Sequence, residues 1–184
     1  GNAVRELRKA WSEMTGTDLM LYPGSQETQQ AGSIIFRQDE GCGPEGYHVF
    51  EEEGSVVIAA STDRGWLYGA FELIHQMQME NPLSGLDVRK EPVMPLRMLN
   101  HWDNMDGSIE RGYSGNSFFF EKDEILIDER TVTYARLLAS VGINGAVINN
   151  VNVKDAATWL ITDRYFDKLR RLSEIFAGYG IKLF

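Results

Sequence analysis

Apolar residues recur at spacings of three and four in two segments of the first half of the chain, which predicts two amphipathic helices. The first covers residues 3–15, and the second begins near Thr62 or Asp63, either of which can cap it, and ends at about Met79. Three short apolar runs lie between the helices and predict strands, with a tight turn between the last two: 33–37, 47–52 and 55–60. This order predicts a small α+β layer structure in which the helices pack on one sheet.

The pattern changes after a segment that holds three of the five prolines within residues 82–95. Such a composition is typical of a linker, so we predict two domains, residues 1–92 and residues 93–184. In the second domain, apolar strands and amphipathic helices alternate, at 96–102, 131–141, 145–148, 163–179 and 181–184. Strand, helix, strand, helix, strand predicts βα units whose strands pair in parallel.

Two α/β architectures accommodate this alternation. A doubly wound sheet that bound a dinucleotide would show a Gly-rich turn after its first strand, and this sequence has none there. A (β/α)8 barrel places long loops after its strands, as residues 103–120 do, and needs roughly 250 residues. The predicted fold class is therefore α/β, with a small α+β accessory domain followed by the first βα units of an incomplete barrel. We accordingly expect the chain to be a piece of a longer protein.

Charge and composition exclude several kinds of partner. Lys and Arg total 18 and Asp and Glu total 27, so the formal net charge is −9. This balance argues against nucleic acid or an anionic membrane surface as a partner, because either needs a basic face. No run of about 18 apolar residues predicts a membrane span. We expect a soluble protein, and the cytoplasm, the periplasm and the outside of the cell all remain open as its location. Cys42 is the only cysteine, so the sequence predicts no disulfide within the chain and no cysteine metal cluster.

Polar and aromatic residues crowd the ends of two predicted strands. Residues 100–113 combine carboxylates, amides, a histidine and Trp102, the mixture that binds sugar hydroxyls and packs on the apolar face of a sugar ring. The alternative is a polar loop with a buried tryptophan, and the residues favour the two interpretations equally. Asn149, Asn150 and Asn152 follow the next predicted strand. The residues alone favour a simple turn there, because asparagine tolerates left-handed backbone.

Three segments resemble one family of enzymes. Residues 96–115, together with Phe118–Phe120, closely resemble the start of the catalytic barrel in glycoside hydrolase family 67, the α-glucuronidases of xylan breakdown. Residues 62–71 and 77–79 are similar to the accessory domain of that family, which has further chain ahead of the first helix. Residues 147–152 are similar to its second strand and loop.

The resemblance implies an activity and a site. Such enzymes remove (4-O-methyl)glucuronic acid from an α-1,2 link to the terminal xylose of xylo-oligosaccharides, with inversion and without a metal or other cofactor. The expected partner is therefore a glucuronate-bearing xylo-oligosaccharide, and a homodimer is one state open to the parent protein. The catalytic carboxylates of the family lie on later strands, so we expect no catalytic residue in this chain and no activity from it alone. The implied substrate-binding residues are Trp102, Asn149, Asn150 and Val151, with His101 and Asp103 shaping the same wall.

Two other functions stay open. One is a non-catalytic carbohydrate-binding or assembly module. The other is a different glycosidase with an accessory domain before its barrel, such as a β-hexosaminidase. An incomplete barrel would also expose apolar strand edges and helix faces, so we expect self-association or partial disorder in residues 95–184.

Overall fold

The computed structural model describes residues 1–22, 31–153 and 155–184. It forms two compact units, Gly1–Pro95 and Leu96–Phe184, whose boundary lies in the proline-rich segment. Residues 23–30, which precede the first predicted strand, lie outside the described residues.

The first unit contains the predicted helices and strands and one strand more. Its elements are α1 (Asn2–Thr15), β1 (Ile34–Gln38), β2 (Tyr47–Glu52), β3 (Ser55–Ala60), α2 (Asp63–Gln78) and β4 (Asp87–Lys90). The sheet has the order β1-β3-β2-β4, with β1 parallel to β3 and β2 antiparallel to both of its neighbours. Helix α2 packs on β2 and β3, and α1 packs on α2. The mixed α and β composition predicted for this half is confirmed.

Close packing of α2 on the sheet depends on its sequence. Thr62 caps the helix, because its Oγ1 accepts a hydrogen bond of 3.1 Å from the backbone N–H of Gly65. Gly69 faces the central strand β3, where a Cβ atom would lie only 2.6 Å from Cγ2 of Ile58. The absence of a side chain at Gly69 therefore lets the helix backbone approach the sheet.

Strand β4 lies within the proline-rich segment, where the sequence pattern predicts no strand. Its residues are mostly exposed and polar, and they show no apolar alternation. The strand is held by backbone pairing with β2 and by Lys90, whose Nζ donates to the buried carboxylate of Glu72 at 2.7 Å.

The second unit alternates strands and helices around a small parallel sheet. Its elements are β5 (Met98–Asn100), β6 (Phe120–Glu121), β7 (Glu124–Ile125), α3 (Glu129–Ser140), β8 (Gly145–Val147), a 3₁₀ helix (Asp155–Trp159), α4 (Asp163–Gly178) and β9 (Lys182–Leu183). Strands β5, β8 and β9 pair in parallel in that order, as the alternation predicts. The first strand is shorter than the predicted 96–102. Within the described part of the chain, no helix combines the length and apolar character needed to cross a bilayer.

The segment predicted as a long loop, 103–120, is ordered by local pairing. Two isolated bridges join Asp103 to Ile109 and Ser108 to Asn116. It then enters a tight hairpin of β6 and β7, with φ values of 50° and 61° at Lys122 and Asp123, as a primed turn requires.

Candidate functional site

The chain that leaves β5 folds back on itself to form a short antiparallel ribbon, residues 102–110. The N–H of Asn104 donates to the carbonyl of Ser108 at 2.9 Å, and that of Glu110 donates to the carbonyl of Trp102 at 2.8 Å. These two bonds flank the bridge between Asp103 and Ile109. Residues directly opposite each other in such a pairing project to the same face. Trp102 therefore shares one face of the ribbon with Asn104 and Ser108, and Asp103 points to the other.

Asp103 is turned into the protein. Its carboxylate Oδ2 accepts hydrogen bonds from the Ser117 hydroxyl at 2.6 Å and from the backbone N–H groups of Phe118 at 2.7 Å and Phe119 at 3.3 Å. Only 4% of the residue is exposed. These hydrogen bonds hold the Phe118–Phe120 segment against the ribbon, and Phe119 is fully buried there.

Asn150 ties the loop after β8 to the ribbon after β5. Its Nδ2 donates to Asn104 Oδ1 and to the carbonyl of Glu110, both at 3.1 Å, and its Oδ1 accepts from the N–H of Asn152 at 2.9 Å. Its own backbone N–H donates to the carbonyl of Asp103 at 2.7 Å. The residue is 4% exposed and both of its amide hydrogens are used. Asn150 therefore holds the loop after β8 against the ribbon after β5.

His101 anchors the start of the ribbon. Its Nδ1 lies 2.7 Å from the carbonyl of Val147, which can only accept, so Nδ1 carries a proton. In the neutral imidazole, Nε2 then accepts the hydroxyl of Tyr134 at 2.6 Å. Burial and the nearby carboxylate of Asp103 raise the pKa of Tyr134, which keeps that hydroxyl protonated. The ring of Phe119 packs edge-on against the imidazole at 5.0 Å. His101 therefore joins β5 to β8 and α3 and fixes the residue that follows it.

The other three predicted site residues remain accessible. Trp102 is 38% exposed and Val151 is 57% exposed, while Asn149 is half-buried and its Nδ2 donates to the carbonyl of Asn150 at 3.1 Å. The structure thus brings all six predicted residues to the ends of β5 and β8. Three of them meet solvent there, and His101, Asp103 and Asn150 are engaged in bonds within the protein.

The sequence interpretation did not assign a role to Asn104, Ser108, Glu110 or Tyr113. The hydroxyl of Tyr113 donates to Glu110 Oε1 at 3.1 Å, and Tyr113 is 70% exposed. These residues come together because the ribbon folds back on itself. No apolar periodicity in the sequence marks that fold-back.

A small cavity of about 30 Å³ lies beside the ribbon. It has room for about two water molecules, which is far less than a sugar ring needs. Seven of its ten lining residues are aspartates or asparagines, and the full lining is Asp103, Asn104, Met105, Asp106, Asp123, Asn150, Asn152 and Asp155–Ala157. Over residues 1–22, 31–153 and 155–184, no three His, Cys, Asp or Glu side chains converge in a way that could hold a metal ion.

Comparison with known proteins gives a family and several relatives. The family model described as "Glycosyl hydrolase family 67 middle domain" matches residues 76–184. The "Probable alpha-glucuronidase A" of Aspergillus terreus is 45% identical over 98% of this chain. The chain spans less than a quarter of the length of that relative, 23%.

Solved structures show where this fold recurs. A GH138 enzyme that targets pectin rhamnogalacturonan II matches 98% of this chain with a TM-score of 0.65 at 18% sequence identity, over 22% of its own length. A glycoside hydrolase family 20 β-N-acetylglucosaminidase matches 99% of this chain with a TM-score of 0.63 at 16% identity, over 36% of its own length. These likenesses concern the fold alone.

Proposed function

Because the chain belongs to glycosyl hydrolase family 67, we propose that it is part of an inverting α-glucuronidase acting on xylo-oligosaccharides. The bond cleaved is the α-1,2 link between (4-O-methyl)glucuronic acid and the terminal xylose. One observation carries the proposal: relatives named α-glucuronidase match essentially the whole chain at up to 45% identity.

We further propose that the second unit supplies the first strands of a (β/α)8 barrel. Strands β5, β8 and β9 are parallel and separated by helices, as in the βα units of a barrel. Met98 and Leu99 of β5 are 37% and 39% exposed although they are apolar and lie on opposite faces of the strand. An apolar strand exposed on both faces is what remains when the neighbouring strands and helices of a barrel are missing.

In the proposed pocket, Trp102 provides an apolar wall for the glucuronate ring, and Asn149 and Val151 line the neighbouring strand end. The indole face suits the apolar side of a pyranose, while the amide of Asn149 offers a hydrogen bond to a hydroxyl. His101, Asp103 and Asn150 hold these groups in place, because their polar atoms bond to the protein itself.

Inversion requires a carboxylic acid to protonate the leaving oxygen and a carboxylate to activate water, roughly 6.5–9.5 Å apart. Asp103 is buried under three donors, and Asp106 Oδ1 accepts from the N–H and the hydroxyl of Ser108 at 2.8 and 2.6 Å. The bonds to Asp103 leave it unavailable to a substrate, and the resemblance to the family gives neither Asp106 nor Glu110 a catalytic role. We therefore propose that the acid and the base come from other parts of the complete enzyme and that this chain alone is inactive.

The test compares the complete enzyme with this chain on aldobiouronic and aldotriouronic acids. The complete enzyme should release glucuronic acid, seen first by NMR as the β-anomer, and the chain alone should release none. Release by the chain alone would show that it carries its own acid and base. A complete enzyme that ignores both acids but cleaves a β-N-acetylhexosaminide would favour the hexosaminidase reading. Binding of xylo-oligosaccharide without cleavage would favour a carbohydrate-binding module.

A further inference from the structure

Trp102, which the proposed function assigns to the glucuronate wall, has an acidic neighbour across the 102–110 ribbon. The pairing that joins Asp103 to Ile109 sets Glu110 directly opposite Trp102. Backbones paired in this way lie about 5 Å apart, which is close to the width of one sugar ring. A sugar that follows the one on Trp102 would therefore meet Glu110.

The backbone of Glu110 is held firmly in an uncommon conformation. Its φ is +57°, a left-handed value that non-glycine residues rarely adopt. Its N–H is bonded to Trp102, and its carbonyl accepts from the side chains of Asn104 at 2.9 Å and Asn150 at 3.1 Å. Three bonds thus impose a conformation that the residue alone would disfavour, and strain of this kind concentrates at ligand sites.

Tyr113 completes the group. Its hydroxyl donates to Oε1 of Glu110, and this bond to the carboxylate raises the pKa of Tyr113, so the phenol stays protonated. Oε2 of Glu110 accepts no hydrogen bond from the described residues. The group therefore offers a carboxylate oxygen able to accept from a hydroxyl, next to an aromatic ring that is 70% exposed.

We propose that Glu110 and Tyr113 bind the xylose unit next to the scissile bond, beside the wall formed by Trp102. This inference rests on the proposed function and names the part of the substrate that these two residues contact. The charge of Glu110 favours xylose over glucuronate as the sugar that it contacts. A carboxylate repels the carboxylate of glucuronate but accepts hydrogen bonds from the hydroxyls of neutral xylose.

The experiment uses the complete enzyme and two measurements, kcat/KM for aldotriouronic acid and the inhibition constant of free glucuronic acid, which lacks the xylose. Glu110→Gln and Tyr113→Ala should each lower kcat/KM about tenfold, because the first replaces a charged acceptor of a xylose hydroxyl by a neutral amide and the second removes the ring contact to xylose. The inhibition constant should change less than about twofold. Tyr113→Phe keeps the ring and should lower kcat/KM less than Tyr113→Ala. Asp167→Asn, which removes a carboxylate from the surface of α4, is the matched control and should change neither value.

The outcomes separate this inference from the one it depends on. An inhibition constant that rises as much as kcat/KM falls would place the effect on glucuronate or on the fold and would overturn the assignment to xylose. An unchanged kcat/KM in Glu110→Gln and Tyr113→Ala would overturn it as well. A wild-type enzyme that releases no glucuronic acid from aldotriouronic acid would instead refute the proposed function, and this inference with it.

Discussion

Two adjacent asparagines at the end of β8 show how differently neighbouring residues contribute. Asn150 Nδ2 and Oδ1 bond to three other residues, while the Asn149 amide makes one bond to its neighbour. We expect Asn150→Ala to lower the free energy of unfolding by about 2 kcal/mol, because it leaves buried partners in the ribbon unsatisfied. Asn149→Ala should cost less than about 1 kcal/mol. Urea unfolding of the complete protein followed by fluorescence would compare them, and equal losses would contradict the assigned roles.

A buried carboxylate in the first unit makes stability depend on pH. Burial acts to raise the pKa of Glu72, but hydrogen bonds from Lys90, Gln76 and Tyr47, at 2.7, 2.7 and 2.8 Å, lower it below its ordinary value of 4.5. The folded protein thus binds a proton at Glu72 less readily than the unfolded chain does. The stabilisation is fully present above pH 4.5 and is lost as the pH falls through the lowered pKa.

The check is the unfolding free energy of wild type and of Glu72→Gln between pH 6 and pH 3. The advantage of the wild type should be constant at the upper end and should shrink below about pH 4.5. Taking the difference removes the contribution of the other carboxylates, which titrate in both proteins. A difference that stays constant down to pH 3 would show that Glu72 keeps the same pKa in both states.

Individual roles within the candidate site could be predicted only in part. The position of Trp102, Asn149 and Val151 after two strands follows from the alternation of apolar and polar runs. The inward orientation of Asp103 and the bonds of Asn150 depend on the pairing within residues 102–110, between positions four to eight residues apart. No apolar pattern marks that pairing, so the sequence shows which residues gather but not which of them face a ligand.

At the scale of elements, helix α2 and strand β3 are matched through Gly69. An alanine Cβ there would lie 2.6 Å from Ile58 Cγ2, so we expect Gly69→Ala to destabilise the protein by about 1–3 kcal/mol. An exposed helix interior would instead gain up to about 1 kcal/mol from the same change. In an Ile58→Ala background, Gly69→Ala should cost less, since the clashing methyl is gone. The double-mutant cycle in urea unfolding measures this coupling, and a stabilising Gly69→Ala would rule out the close approach.

Helices and buried strands are the elements that the sequence predicts well, because burial imposes an apolar period on them. Among the described residues, helices α1 to α4 begin and end within about two residues of their predicted ends. Strand β4 and the β6–β7 hairpin have no such period. The first is a polar edge held by backbone bonds, and the second turns at Lys122 and Asp123, without the Asn-Gly or Asp-Gly pair that marks such turns. Their positions are set by tertiary contacts that short sequence patterns do not carry.

For the whole molecule, the parallel sheet of the second unit is the feature that links fold to function. Trp102 follows the end of β5, and Asn149 and Val151 follow the end of β8. Because these strands are adjacent and parallel, the residues of the proposed pocket lie at the same edge of the sheet. The same sheet pairs β5 on one side alone within the described residues. A barrel would satisfy that second side, and the proposal of a barrel can therefore be tested at the backbone of β5.

Amide hydrogen exchange distinguishes the two sides of β5. The carbonyl of Arg97 and the N–H of His101 bond to residues around β8, so by alternation Leu99 faces β8, and Met98 and Asn100 face the other side. If a further strand of a barrel pairs there, the amides of Met98 and Asn100 should exchange rapidly in this chain alone and at least about tenfold more slowly in the complete protein. The amide of Leu99 is the internal control and should be protected in both. Equally fast exchange of Met98 and Asn100 in both proteins would mean that no strand completes this edge, and the proposed barrel would then have to be abandoned.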